Sequence, residues 1–276
     1  MRAFKEKYRQ AVSGSGKEYR RIATLLSSSL CALLHFYNVT DDNPLTLQFT
    51  VGINDTQMSV TCTDSIFEYK SPVIAGPSNM DIVLSGKDDR TGKDTLVFLE
   101  SKFSEYITDT SSKFTLRSGY LDNEFSGKIY RDCLSNLGLK MTKVSENEAE
   151  LRASDGKPFY IGGIKQMISH YVGIRNLLKG SFYDGSNTDK GIVREKINSG
   201  AEIILGEILF DDRIGAIERC LRSYEKKYQT LSRMISKENA GCKRFHMMTD
   251  VLHYSLFKEN THQIEPRIKR FYGEDR

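Results

Sequence analysis

Four segments between residues 45 and 103 carry the patterns of β-strands, and they constrain the fold more than any other feature of the chain. Apolar and polar residues alternate in 45–51 and again in 58–62, with a polar turn, NDT, between the two runs. Alternation on both sides of a turn predicts a β-hairpin. The apolar runs 80–84 and 96–103 are joined by SGKDDRTGKD, a loop rich in turn formers. They predict a second, adjacent hairpin.

Helical periodicity fills much of the remaining chain. The stretch 4–37 has a helical pattern that is broken at SGSG, and its second half, from about Lys17, places apolar residues on one stripe. The polar stretch 143–158 is interpreted as a connection. Further helices are predicted at 121–137, 164–178, 214–236 and 264–272, and further strands at 201–210 and 247–254. This mixture predicts an α/β architecture around a mixed sheet.

The composition is that of an ordinary globular protein. With 39% hydrophobic and 28% charged residues, the 276-residue chain is too apolar to be disordered. We expect one domain over 1–276, with N-terminal helices in 1–40, a catalytic core in 41–210, and C-terminal helices with a short strand in 211–276. No apolar run reaches the length that spans a bilayer, and MRAFKEKYRQ has no signal-peptide core. We therefore expect a cytoplasmic protein without a membrane partner.

The cysteines and the charges narrow the function classes further. Five cysteines are scattered without any CxxC spacing, which favours reduced thiols and argues against a zinc ribbon or a disulfide framework. The net charge is only +4, yet residues 1–21 contain seven Lys or Arg against two Glu. Such a basic segment is compatible with a polyanionic partner, but on charge alone a solvated helix face is the favoured interpretation.

Three chargeable residues lie where the second hairpin should bring them together. Side chains alternate along a strand, so Phe98, Glu100 and Lys102 share one face. Antiparallel pairing would place Asp81, at the start of one strand, beside Glu100, at the end of the next. Two carboxylates can hold a hard divalent cation, with the ammonium beside them. The alternative is a surface hairpin with an exposed salt bridge of minor energetic weight.

The signature of the PD-(D/E)XK nuclease superfamily resembles GPSNMDIVL followed by VFLESKF in this chain. The order of elements from about residue 27 to residue 254 also resembles uncharacterised bacterial proteins grouped with restriction endonucleases. The resemblance implies a restriction-endonuclease-like mixed sheet flanked by helices, with an N-terminal helical extension. It implies Asp81, Glu100 and the Ser101 backbone carbonyl as ligands of Mg²⁺ or Mn²⁺, and Lys102 as the residue that orients or activates water. Glu68 is the candidate for a further upstream acid, which family members usually carry on a helix.

A second motif of the superfamily is matched only in part. Exonuclease-like branches carry a Gln-x-x-x-Tyr helix that positions the substrate or the water at the metal. Here Gln166 lies on a predicted helix, but Tyr171 comes one residue late and His170 occupies the expected place. Gln166 and His170 are neighbours on a helix, whereas Tyr171 is rotated by about 100°. Gln166 is therefore the candidate, and the role of Tyr171 is left open.

These features predict a metal-dependent nuclease that hydrolyses phosphodiester bonds, with DNA as the expected substrate, through Mg²⁺-assisted attack of water. One alternative is a nuclease-fold protein that binds nucleic acid or has a regulatory role without cleaving. Another is a structural α/β protein in which Glu-x-Lys is a coincidence. Double-strand cleavage with one active site per chain would suggest a homodimer. Glu105 is either a peripheral acid or the solvated end of the strand, and Glu207 is either a supplementary acid or a strand-end carboxylate facing water. The solvated interpretation is favoured for both.

Overall fold

The computed structural model describes residues 2–12, 27–73, 76–117, 119–122, 124–189, 191–211 and 215–261. The strands are β1 Leu45–Val51, β2 Thr56–Val73, β3 Gly76–Asp88, β4 Asp94–Lys102, β5 Lys113–Arg117, β6 Leu139–Lys143, β7 Glu148–Ala153, β8 Glu202–Leu209, β9 Phe245–Met247 and β10 Leu252–His253. The helices are α1 Arg2–Ala11, α2 Ser28–Phe36, α3 Glu105–Thr108, α4 Gly119–Asp122, α5 Glu124–Asn136, α6 Ile161–Leu178, α7 Ile192–Asn198 and α8 Gly215–Glu238, followed by a 3₁₀ segment, Tyr254–Thr261.

A large mixed sheet organises the fold, which confirms the predicted α/β class. Its order is β1-β2-β3-β4-β8-β10, with β9 also paired to β8. The first four strands are antiparallel neighbours, so both predicted hairpins are confirmed, with Leu47 opposite Val60 and Val83 opposite Phe98. The central strands β4 and β8 are parallel, and almost all their side chains are buried. A parallel pair covered on both faces is the usual place for such apolar runs.

The sheet separates two hydrophobic cores. Along β4, Leu96 and Phe98 enter one core together with α5, α6 and α8, while Val97 and Leu99 enter the other, together with α2 and β1. This alternation follows directly from the period of two residues in a strand. No helix among the described residues is long and apolar enough to cross a membrane.

The interpretation of 143–158 as a connection is wrong. The strand β7 lies within this stretch, and it pairs with β6, which ends at Lys143, and with β5 in a small antiparallel sheet of order β5-β7-β6. In β7, Ala149 and Leu151 are buried in the first core between charged neighbours. Its apolar positions thus follow a period of two, and the charged residues between them hid the pattern at the level of composition.

Other boundaries differ in smaller ways. The strand predicted at 247–254 is two short strands, β9 and β10, and the helix α7 was not predicted. The helix predicted at 164–178 is confirmed and begins three residues earlier, at Ile161. The helix predicted from about Lys17 is described only from Ser28 onward, and the terminal helix predicted at 264–272 lies outside the described residues.

Candidate active site

The second hairpin brings Asp81 to the end of β4, where its side chain completes the pairing. Backbone pairing of β3 with β4 runs from Lys87 opposite Asp94 to Ile82 opposite Leu99. One step further, the Asp81 Oδ2 atom accepts the Ser101 N–H at 2.9 Å. The Asp81 carboxylate is thereby fixed against the strand that carries Glu100 and Lys102.

Glu100 and Lys102 form a buried ion pair. The Lys102 Nζ atom donates to Glu100 Oε1 at 2.5 Å, and the two residues are only 2% and 3% exposed. Burial opposes both charges, but the ammonium of Lys102 and the imidazole of His170 outweigh it and lower the pKa of Glu100 to about 2. Burial would likewise lower the pKa of Lys102, yet Glu100 holds that pKa well above its ordinary value. The pair is therefore charged in the interior and is not an exposed surface bridge.

The helix α6 supplies two more groups to this pair. The Lys102 Nζ atom also donates to Gln166 Oε1 at 2.9 Å. The His170 Nε2 atom lies 2.7 Å from Glu100 Oε2. Tyr171 lies elsewhere, because its hydroxyl accepts from Asn239 at 2.6 Å and from Arg175 at 3.1 Å. The structure thus places Gln166 and His170 at the site and Tyr171 in a separate contact.

Glu68 lies in the interior of β2 rather than at a strand end or on a helix. The residues on either side of it pair with Ile82 and Met80, so Glu68 lies opposite Asp81. Its φ of 53° is in the left-handed region, which is uncommon for a residue with a side chain. The Ser29 hydroxyl is 3.3 Å from Glu68 Oε1 and 3.4 Å from Asp81 Oδ1. Both carboxylates therefore contact the same serine at the start of α2.

Negative charge exceeds positive charge in this cluster. Around Asp81, the carboxylates of Glu68 and Glu100 add negative charge, and the ammonium of Lys102 opposes it. Burial, followed by the charges of Glu100 and Glu68, raises the pKa of Asp81 well above its ordinary value. Asp81 keeps a partly exposed side chain. A proton or a cation that arrives from solvent would relieve the repulsion at Asp81.

The available ligand atoms are all oxygens, which suits a hard cation such as Mg²⁺ or Mn²⁺. An extended residue turns its N–H and C=O to the same side, so the Ser101 carbonyl faces the Asp81 side as its N–H does. Within the described residues, no group of three His, Cys, Asp or Glu side chains forms a ready-made metal site. Mg²⁺ needs no such cage, because it usually takes one or two carboxylates and completes its shell with water and substrate oxygens.

The cluster opens into a cleft of about 710 Å³. Its lining includes the serines at the start of α2 together with Phe114, Tyr120, Tyr160 and Lys165. Glu105 also lines the cleft, and its Oε2 atom accepts the N–H groups of Phe103 and Ser104 at 2.7 and 3.0 Å. Glu105 is therefore tied to the turn after β4 rather than simply solvated.

Glu207 is the functional candidate that sequence reasoning misjudged. It is 0% exposed, and its Cα pairs with that of Glu100 across β4 and β8, so the two carboxylates project from the same face. The Tyr224 hydroxyl is 2.9 Å from both of its oxygens. Burial raises the pKa of Glu207 to about 8. The available signal was its position inside the apolar run EIILGEIL, since central parallel strands are buried on both faces.

Comparisons of the chain with family models, with curated proteins and with solved structures found no match.

Proposed function

We propose that the protein is a metal-dependent nuclease with a restriction-endonuclease-like core, which hydrolyses phosphodiester bonds in DNA with Mg²⁺ or Mn²⁺. The observation that carries this proposal is the buried Glu100–Lys102 ion pair, joined to Asp81 through the Ser101 N–H at the floor of an open cleft. The desolvation of a buried ion pair can cost more than its attraction returns, so stability alone does not explain why the pair is there. The order of two hairpins, a central parallel pair and flanking helices supports the fold assignment.

Each residue has a role that follows from its contacts. Asp81, Glu100 and the Ser101 carbonyl would hold the ion, and Glu68 would add negative charge next to Asp81. When bound, Mg²⁺ would supply positive charge against the phosphodiester and make water at the site more acidic. Lys102 is held by Glu100 and Gln166, so its ammonium is fixed as a donor for a water molecule or a phosphate oxygen.

A cleavage assay with matched variants tests the proposal. Purified protein is incubated with supercoiled, linear and single-stranded DNA and with RNA, with Mg²⁺, with Mn²⁺ or with EDTA. We expect metal-dependent degradation or nicking of DNA by the wild type, and its loss in Glu100→Gln and Lys102→Met. The control is Lys93→Met, which removes a Lys–Glu ion pair of 2.8 Å with Glu202 at the other end of the sheet. That variant should keep full activity.

Two results would count against cleavage. If the wild type leaves every substrate intact with either metal but still retards DNA in a gel, the protein binds nucleic acid without cutting it. If it does neither, and calorimetry detects no Mn²⁺ binding that depends on Asp81, the cluster is a structural feature of an α/β protein. Sedimentation of the active protein tests the proposed homodimer separately.

A further inference from the structure

We propose that His170, held in turn by Ser78, is a positioning residue that fixes the orientation of the Glu100 carboxylate. The inference deepens the proposed nuclease function and rests on it. His170 stands where the partly matched motif would carry its tyrosine, and it makes contacts that its neighbour Tyr171 does not make. It therefore has a role of its own in this chain.

The hydrogen bonds define a chain of three buried side chains. The Ser78 Oγ atom is 2.7 Å from His170 Nδ1, and His170 Nε2 is 2.7 Å from Glu100 Oε2. An ionised carboxylate only accepts hydrogen bonds, so Nε2 carries a proton. The Ser78 hydroxyl can donate to Nδ1 or accept from it, so the imidazole is held at both of its nitrogens. All three residues are at most 9% exposed, so water competes little for these bonds.

The contacts fix the plane of the carboxylate. The terminal torsion of a glutamate is broad, and a single partner would leave the group free to rotate. Here Lys102 binds Oε1 and His170 binds Oε2. Two donors on different oxygens define the orientation of the group, and each oxygen retains capacity for one further partner. This second contact corresponds to the hydrogen bonds that orient carboxylate ligands in metal sites.

The chain also links the elements that carry the rest of the site. Ser78 precedes Asp81 by three residues in β3, and His170 follows Gln166 by four residues in α6. Through His170, Glu100 is thus connected to the helix α6, whose Gln166 binds Lys102, and to the strand β3, which carries Asp81. A change at His170 should therefore disturb the mutual placement of all these groups.

Three variants separate positioning from packing. His170→Phe keeps the bulk of the ring but removes both hydrogen bonds. His170→Gln keeps an N–H that reaches toward Glu100 and loses the contact with Ser78. The control is Tyr171→Phe, a fully buried neighbour on the same helix, whose hydroxyl bonds to Asn239 and Arg175 instead of the cluster. Circular dichroism and thermal melts establish that each variant is folded.

The first readout is Mn²⁺ affinity, measured by calorimetry or by electron paramagnetic resonance without any DNA. We expect His170→Phe to weaken Mn²⁺ binding by about 10- to 100-fold, the usual effect of losing a partner of a metal ligand. His170→Gln should recover most of this loss, and Tyr171→Phe should bind as the wild type does. In cleavage, His170→Phe should lower kcat with little change in KM, because the substrate contacts are intact.

Three results would overturn the proposal. One is a folded His170→Phe variant that binds Mn²⁺ within twofold of the wild type. Another is an equal loss in His170→Phe, His170→Gln and Tyr171→Phe, which would indicate general destabilisation. The third is labelling of Ser78 by a fluorophosphonate probe, because an activated nucleophile there would give the chain a different chemical role.

Failure of the nuclease function can be recognised separately by proton NMR. A hydrogen-bonded imidazole N–H gives a downfield resonance that needs neither metal nor DNA. We expect this resonance in the wild type, its shift in Glu100→Gln and its absence in His170→Phe. If it behaves in this way while the wild type binds no Mn²⁺ and cuts no DNA, the hydrogen-bond chain is real and the proposed nuclease function is wrong. Absence of the resonance from an active wild type would instead overturn the chain.

Discussion

Replacement of Glu207 by glutamine should change how stability depends on pH. Glu207 is completely buried in β8, and its oxygens contact only the Tyr224 hydroxyl among the described hydrogen bonds. Burial raises the pKa of its carboxyl from 4.5 to about 8. A protonated carboxyl and an amide both present an acceptor oxygen and a donor group to Tyr224, so Glu207→Gln imitates the neutral form without its ionisation.

The sign and size of the effect follow from proton linkage. Above its ordinary pKa the unfolded chain releases the Glu207 proton, while the folded protein keeps it until the pH approaches about 8. Folding therefore binds a proton in this window, and stability falls as the pH rises through it. With these two pKa values, the loss between roughly pH 5 and pH 8 is about 3 kcal/mol. Glu207→Gln lacks this loss, so its advantage over the wild type should grow by that amount.

Urea denaturation of both proteins across this pH range measures the difference directly, and the melting temperatures should diverge by roughly 6 °C or more. Titrating groups that do not interact with Glu207 contribute equally to both proteins and cancel in the difference. Tyr224→Phe serves as the companion variant: it removes a hydrogen bond that lowers the pKa of Glu207, so its pH-dependent loss should extend to higher pH. Parallel stability curves for the wild type and Glu207→Gln would refute the reasoning.

Three further changes have definite expected outcomes. Lys102→Met leaves Glu100 buried without its cation, so it should destabilise the fold by about 3 to 5 kcal/mol in chemical denaturation, and a loss below about 1 kcal/mol would contradict the buried pair. Asp81→Asn should raise the melting temperature above that of the wild type, and increasingly so at higher pH, because the raised pKa of Asp81 makes its ionised form destabilising. Added Mg²⁺ should stabilise the wild type and leave Asp81→Asn unchanged. Gly86→Ala should lower the free energy of unfolding by about 3 kcal/mol, because the added Cβ would lie 2.1 Å from the Thr61 carbonyl oxygen. If the variant is as stable as the wild type, the two strands can separate at this position.

The strands of the large sheet could be predicted because their patterns follow from burial. In β1 every second residue is buried, so alternation alone specified both the strand and its partner face. The adjacent hairpin then placed Asp81 beside the end of β4 through the simple geometry of antiparallel strands. These are short-range consequences of sequence, and they account for the acids and the lysine that the sequence singled out.

Other parts of the site depend on contacts across long stretches of chain. His170 meets Glu100 across 70 residues, and its spacing on a helix could show only that it lies near Gln166. The positive φ at Glu68 could not be predicted from the sequence, because the position has neither the glycine nor the asparagine that usually indicates such a conformation. Glu207 was predicted to face solvent because a carboxylate is usually exposed, yet β8 is buried on both faces. In each case the tertiary environment, rather than the local sequence, determines what the side chain does.

The arrangement also explains why a buried strand can end in Glu-x-Lys. Phe98, Glu100 and Lys102 follow one another on the same face of β4, so the face changes from apolar core to charged cleft within two residues. Glu100 is compensated from two sides by Lys102 and His170, whereas Lys102 and the Ser101 N–H compensate Asp81 only in part and its pKa is raised. Apolar residues in place of a buried ion pair are often as stable or more stable, and a neutral residue at Asp81 would avoid the repulsion that raises its pKa. The cost to stability is therefore concentrated where the sheet meets the cleft, which is the position of the proposed cation site.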